Sequence, residues 1–213
     1  MSAVPASEVE ICNLALDRFG ERPIANIDNP QTTAEITMAR HFAQVRQELL
    51  RKYVWNFGKK RASISRSGTP EFDYADKYQL PNDFVRLLSV NGDTEVQQSK
   101  DYDIEGRELL IDASGAASIK IRYIKDVTDV SQWDSLFRTC MILSLALATA
   151  YQFTKKKALV DQINGLLAAE LPDAVSIDGQ EKPPVRIQRS KYLAARQMGG
   201  YSTGVASQYT VLP

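Results

Sequence analysis

The apolar positions of the first quarter of the chain follow the period of amphipathic helices. Ser7 and Glu10 have the spacing of a capping box, in which each side chain satisfies a backbone N–H of the first helical turn. Gly20 stands where a left-handed residue would end this helix. The apolar stripe between these signals predicts a first helix and consists of Val9, Cys12, Leu16 and Phe19.

A second helix is predicted to begin near Gln31 or Thr32, directly after Pro30. Its apolar stripe has alternating spacings of four and three residues and comprises Met38, Phe42, Val45, Leu49 and Tyr53. The first helix alone cannot cover this stripe, so further apolar helix faces are needed. The chain supplies them only after residue 130.

After Phe57 the period of the apolar positions changes from about 3.6 to 2, which indicates strands. Asn91-Gly92-Asp93 is a strong pattern for a tight turn, and Gly106 lies within a predicted hairpin. Antiparallel connections are therefore expected throughout residues 59–125. The predicted strands are residues 59–65, 77–80, 84–90, 95–98, 102–105, 107–111 and 118–125.

The helical period returns at Ser131, with Asp134 three residues later as a second capping pattern. Residues 136–151 are apolar nearly all round, as expected of the central helix of a bundle. A fourth helix is predicted over residues 158–171, and Pro172 either ends it or begins a short continuation.

The C-terminal residues 180–213 have no periodic apolar face, and they carry five basic residues against Glu181 alone. Such a segment cannot build its own core, so it is predicted to be a disordered end or an arm that orders on a partner.

These patterns together predict an α+β fold. A four-helix bundle carries an antiparallel β-rich insertion between helices 2 and 3 and ends in an extended C-terminal tail. The predicted domains are a discontinuous bundle from residues 1–58 and 126–178, an insertion over residues 59–125 and an arm over residues 179–213. Trp55 and Phe57 are predicted to form the structural hinge between the bundle and the sheet.

Composition narrows the functional classes. The net charge of zero argues against non-specific adhesion of the whole chain to nucleic acid or anionic membranes. We see no signal peptide, and the longest apolar run, residues 139–153, is shorter than the ~20 residues of a membrane span. The chain is therefore expected to have no membrane partner. Cys12 and Cys140 are expected to be buried free thiols.

Candidate chemistry is sparse, and no catalytic residue, cofactor site or metal site is predicted. His41 is the only histidine and lies within a predicted helix. Asp101, Asp103 and Glu105 share one face of a predicted strand, where a solvated surface is the simplest interpretation. Glycoside hydrolysis by two of these carboxylates stays open as an alternative function, that of a tail-associated hydrolase.

Two basic runs, residues 59–61 and 155–157, offer contacts for phosphate. Solvated charges at the ends of secondary-structure elements are the simpler interpretation, given the neutral total. A DNA-binding module that uses residues 59–61 and the basic C-terminal tail is the second alternative function.

An ordered series of motifs over roughly residues 9–171 resembles the podovirus tail tubular protein A family, the head-to-tail adaptors. The series comprises residues 11–16 followed by Gly20 and Pro23-Ile24, residues 43–50 followed by Trp55-Asn56-Phe57 and Arg61-Ala62, residues 78–83, residues 86–88, residues 102–107 with Leu109-Leu110, and residues 122–124 followed by residues 127–129. Residues 192–196 before Gly199-Gly200 are similar to the C-terminal segment of that family.

The resemblance implies a structural virion protein of the tail neck that is assembled in the host cytoplasm and is not an enzyme. It implies a self-assembled dodecameric ring between the portal protein ring and the tail nozzle protein, with DNA passing through its lumen without specific binding. The C-terminal extension is then expected to dock onto the portal. Basic and aromatic character favours these candidate portal contacts: Arg186, Arg189, Lys191, Tyr192 and Arg196.

Overall fold

The computed structural model describes residues 7–92 and 102–181 of the chain, and within them lie four α-helices and six β-strands. All the described residues belong to one compact unit, Met1–Glu181. The helices are α1 (Glu8–Asp17), α2 (Thr33–Lys52), α3 (Ser135–Phe153) and α4 (Lys157–Gln180). The strands are β1 (Lys59–Gly68), β2 (Asp76–Gln79), β3 (Phe84–Val90), β4 (Tyr102–Glu105), β5 (Glu108–Ile111) and β6 (Ser118–Lys125).

Side-chain caps define where the first three helices begin. The Ser7 hydroxyl accepts a hydrogen bond from the Glu10 N–H at the start of α1. At α2, Thr32 and Glu35 form a reciprocal capping box. The capping pattern predicted at Ser131 is displaced by three residues, because Asp134 is the N-cap of α3 and accepts from the Leu136 N–H.

Helix α4 is longer than predicted and passes through Pro172 to Gln180. Proline removes one backbone donor from a helix, but packing can hold the turns on either side. Ala174 is buried in the helical core and Val175 packs against it, so the continuation beyond the proline has its own apolar contacts. Helix α4 thus includes residues 179 and 180, the first two residues of the predicted arm.

The six strands form one antiparallel sheet in the order β3-β6-β1-β2-β5-β4. The strands β3 and β6 have the bounds that alternation predicts, and Asn91 and Gly92 both adopt positive φ at the predicted turn. The predicted strand over residues 95–98 lies outside the described residues. The sheet curls over its own apolar core, whose larger members are Ile64, Tyr78, Leu87, Leu109, Ile111, Ile121 and Tyr123.

The predicted four-helix bundle with a β-rich insertion is wrong as a fold. The structure has four helices with a six-stranded antiparallel sheet between α2 and α3, and only part of it matches a helix bundle. Helix α3 is the common neighbour of the other three helices. Leu88 and Ile124 of the sheet belong to the same core as the helices. The stripe on α2 is therefore covered partly by strands, and apolar periodicity does not reveal whether its partner is a helix or a sheet.

Helix α3 forms the middle of the helical core. It is the one helix of the described part that is long and apolar enough to cross a membrane, by length and composition alone. Half of that apolar stretch is buried within the protein, and a core helix meets the same test. Cys140 on α3 and Cys12 on α1 are both buried and free, as predicted. Burial raises the pKa of the Cys12 thiol to about 12 and that of Cys140 to about 11, so both stay protonated at neutral pH.

Candidate functional site

The end of α4 is fastened to the turn that leads from α2 into the sheet. The carboxylate of Asp178 accepts the Asn56 backbone N–H, at 3.0 Å for one oxygen and 3.1 Å for the other. The Asn56 side-chain amide donates back to the Asp178 carbonyl and, at 3.2 Å, to the Glu181 carboxylate. Lys59 Nζ completes the cluster by donating to Asn56 Oδ1. We call these four residues the α4 anchor.

The α4 anchor holds a carboxyl group in an unfavourable environment. Asp178 is only 8% exposed, and this burial raises its pKa above the ordinary value. The Asn56 N–H and the charge of Lys59 act in the opposite direction, without cancelling the effect of burial. The basic C-terminal segment begins immediately after the anchor, at residue 182.

The two residues predicted as a hinge lie beside the α4 anchor. Trp55 is 1% exposed, and its indole N–H donates to the Leu49 carbonyl at 3.2 Å. The Trp55 ring meets the Phe137 ring of α3 edge-on, with 5.1 Å between the ring centres. The half-buried Phe57 also packs against Phe137, with 4.9 Å between the ring centres. Both aromatic side chains therefore pack against α3, while their role as a hinge stays a prediction.

The candidate portal contacts Arg186, Arg189, Lys191, Tyr192 and Arg196 lie outside the described residues. Their role therefore stays a prediction from the sequence. What the structure adds is the position from which their segment departs, because Glu181 bonds to Asn56.

The carboxylates considered for hydrolysis are only partly described. Asp101 lies outside the described residues, whereas Asp103 and Glu105 are exposed on the edge strand β4. Asp103 accepts a hydrogen bond from the N–H of the next residue, Ile104, at 2.7 Å. Within residues 7–92 and 102–181, no three or more His, Cys, Asp or Glu side chains are grouped so that they could hold a metal ion.

Strand alternation separates the first basic run, which the sequence places in a row. Lys60 pairs with Asp83 at 2.7 Å, and the Tyr123 hydroxyl donates to the other oxygen of the same carboxylate. Burial raises the pKa of Asp83, but the bonds from Lys60 and Tyr123 outweigh it and the net shift is downward. Lys59 belongs to the α4 anchor, so only Arg61 is left to another surface.

The second basic run, residues 155–157, lies exposed between α3 and α4. Its backbone is held by local bonds, including that from the Lys156 N–H to the Thr154 hydroxyl at 3.1 Å. This is the solvated surface that the sequence indicates as the simpler interpretation.

Two carboxylates with structural roles have no counterpart in the sequence-based predictions. Glu35 is 6% exposed and accepts the N–H groups of Gln31 and Thr32 at 2.8 and 2.9 Å. It also accepts those of Ala25 and Asn26, so one side chain joins the two ends of the α1–α2 loop. These bonds, led by that from Gln31, lower the pKa of Glu35 to about 2.

The second of these structural carboxylates is Asp126, which follows β6 and pairs with Arg46 of α2. Arg46 Nε lies 2.8 Å from one carboxylate oxygen, and its terminal nitrogen lies 3.1 Å from the other. This two-point contact joins α2 to the end of the sheet. The capping spacing of Thr32 and Glu35 could have revealed the first carboxylate, but nothing in the sequence pairs residues 46 and 126.

No model of a known protein family matches this chain, and no curated protein is similar enough to count as a match.

Proposed function

We propose that the chain is a structural virion protein, a head-to-tail adaptor that joins the portal ring to the tail nozzle and forms part of the DNA conduit. The observation that carries this proposal is the ordered series of motifs over residues 9–171 that resembles the tail tubular adaptors. In this proposal the protein acts in the neck of the tail, as a ring of identical copies.

The packing of the motif residues supports the proposal. Leu49, Leu50 and Trp55 come from one motif, and they share a core with Leu88 and Ile124 from two later ones. The motifs that are dispersed along the chain thus meet where the helices join the sheet. A shared pattern at such a junction is what a common scaffold requires, since these positions fix the arrangement of the two layers.

Ring formation is supported by apolar side chains that the helices leave in solvent. Tyr151 at the end of α3 is 91% exposed, and Ile177 on α4 is 51% exposed. Leu166 of α4 and Ile36 of α2 are also exposed. Exposed large apolar side chains of this kind suit lateral contacts between copies, which close into a ring when they are heterologous.

The portal contact is assigned to the segment that follows the α4 anchor. Residues 182–213 contain five basic residues and no acidic one. The anchor fixes the point of departure of this segment in every copy, so a ring would present its arms at equal spacing. Weak contacts repeated in this way act together through their high effective concentration.

A truncation tests the proposal. A chain that ends at Glu181 keeps the whole α4 anchor, whereas a cut before residue 180 would remove the Glu181 carboxylate that Asn56 contacts. We expect the full chain to be retained by the purified portal ring and to form an added ring in negative-stain images. The truncated chain is expected to melt cooperatively but to bind no portal.

A second variant separates charge from length. Replacement of Arg186, Arg189, Lys191 and Arg196 by glutamine keeps the arm but removes most of its charge, and should weaken portal binding strongly. Tyr192→Ala is the matched test of aromatic contact. Portal binding by the truncated chain at the strength of the full chain would show that the arm is not the docking element.

A further inference from the structure

A row of basic and hydroxyl side chains crosses three neighbouring strands of the sheet. On β6, Arg122 is directly opposite Arg61 of β1 on one side and Ser89 of β3 on the other. Two residues earlier, Lys120 is opposite Ser63, and its N–H donates to the Asn91 side chain at 3.0 Å. These six residues line one cleft of about 490 Å³, which we call the basic sheet face.

The register of the basic sheet face is electrostatically unfavourable in isolation. Like charges that are directly opposite on neighbouring strands destabilise a sheet, and Arg61 and Arg122 are such a pair. Within the described part of the chain, neither arginine nor Lys120 forms an ion pair with a carboxylate. None of the residues that line the cleft is acidic.

Arg122 adds a second and independent observation. Its Nε atom is buried, yet it has no hydrogen-bond partner among the described residues. A buried donor without an acceptor costs free energy, and a charged donor costs more than a neutral one. An anion that binds the guanidinium of Arg122 beside Arg61 would offset this cost through its charge and would also reduce the repulsion between the two guanidinium groups.

The nearest basic neighbour along the chain is engaged elsewhere. Alternation directs Lys60 to the opposite side of β1 from Arg61, where it pairs with Asp83. The balance of charge over the whole chain therefore does not extend to the basic sheet face, where three cations stand together and none of them pairs with a carboxylate among residues 7–92 and 102–181.

We propose that the basic sheet face binds the phosphates of a nucleic-acid backbone, without regard to base sequence. Arginine, lysine and serine side chains are the usual partners of phosphate oxygens in such complexes. Cross-strand neighbours lie about 5 Å apart, and alternate residues of a strand about 7 Å apart, so the three cations can meet more than one phosphate.

The exposure of the face identifies a polymer rather than a small phosphorylated molecule as its ligand. Arg61, Ser63 and Lys120 are all exposed, whereas sites for small ligands enclose most of the ligand surface. No aromatic side chain lines the cleft among the described residues, so bases have no stacking platform there. Contact with the backbone alone is reversible and sensitive to salt, and it allows DNA to slide.

This inference is independent of the adaptor proposal, and its test does not involve the portal. The full chain would be titrated with a fluorescent DNA duplex of mixed sequence, at several chloride concentrations. The variant Lys120→Gln with Arg122→Gln is compared with Lys155→Gln with Lys156→Gln. The latter removes the same charge from exposed positions between α3 and α4, so it serves as the matched control.

We expect the double variant in the sheet to lower the slope of log affinity against log salt by about 2, because each neutralised phosphate contributes about 0.9. The matched control is expected to leave the slope unchanged. Arg61→Gln, at an exposed position, should lower the slope by about 1 and guards against a folding defect in the double variant.

Three outcomes would overturn the proposal. The first is that the wild-type chain fails to bind the duplex, and the second is that the two double variants lose affinity equally. The third is that inorganic phosphate displaces the duplex far more effectively than chloride does at equal ionic strength, while no variant changes the slope of log DNA affinity against log salt. That result would identify a site for a free anion instead of a nucleic-acid backbone.

Discussion

The carboxylate of Asp178 accepts the backbone N–H of Asn56, a residue 122 positions earlier in the chain. This contact ties the last turn of α4 to the turn between α2 and β1. The contact also determines how the protein responds to substitution of Asp178. The carboxyl group stabilises the fold as a hydrogen-bond acceptor, but its burial disfavours the charged form.

Asp178→Ala is expected to destabilise the protein by about 1–3 kcal/mol, because the Asn56 N–H loses its acceptor. Asp178→Asn keeps an acceptor and removes the buried charge, so its loss at neutral pH should be much smaller. Since the folded-state pKa of Asp178 is raised, wild-type stability from this group falls as pH rises through the ordinary carboxyl range toward the folded pKa. Urea denaturation of both variants measures the difference, and equal losses would contradict it.

Trp55→Ala should cost about 3–5 kcal/mol, because it empties a fully buried aromatic site against Phe137. Phe57→Ala, at a half-buried position with the same aromatic neighbour, should cost less. Thermal and urea denaturation give both values. A Trp55→Ala protein with unchanged stability would show that this ring does not hold the helices against the sheet.

The lowered pKa of Glu35 predicts that the stability of the protein falls in acid. Its folded pKa of about 2 lies well below the ordinary carboxyl value, so its contribution is complete above about pH 5 and is lost as pH falls toward about 2. Glu35→Gln should therefore lower stability at neutral pH, and the two proteins should converge in acid. Glu21→Gln, at an exposed position, is the control and should follow the wild type throughout. A constant gap between wild type and Glu35→Gln at every pH would refute this assignment.

Asp126→Ala is expected to cost about 1–3 kcal/mol, because Arg46, 6% exposed, would lose its two-point contact and keep only Glu8, at 3.7 Å. Replacing both residues, as Arg46→Met with Asp126→Ala, should recover much of that loss. Lys60→Ala breaks a more exposed pair and should cost much less. A double-mutant cycle in urea measures the coupling, and independent effects at residues 46 and 126 would disprove the pairing.

Local patterns predict the elements of this chain better than their partners. The bounds of β3 and β6 follow from alternation, and the start of α2 follows from Pro30 directly before it. The fold was predicted wrongly because the stripe on α2 indicates that a partner exists but not its kind, and Leu88 and Ile124 provide it from the sheet. Helix α4 was predicted too short because Pro172 and Gly179 argue locally against a helix, whereas Ala174 and Asp178 hold it through distant contacts.

The same contrast between local patterns and distant contacts applies to the candidate surfaces. Alternation alone places Lys120 and Arg122 on one side of β6 and Ile121 and Tyr123 on the other. Their meeting with Arg61 depends on the register of β1 against β6, which no local pattern encodes. The α4 anchor likewise joins residues 56 and 178, which no local pattern connects.

Lys59 and Ile124 are paired neighbours on β1 and β6, so the sheet segment enters and leaves the helical layer at adjacent points. Until this pair forms, α2 and α3 lie at the two ends of a long flexible chain segment, and bringing those ends together carries an entropic cost. Once it forms, the two helices are tethered by a short path and can dock. We therefore expect β1–β6 pairing and α2–α3 docking to occur in one kinetic step. Substitutions in the contact between β1 and β6 or in the contact between α2 and α3 should then slow refolding to a similar degree.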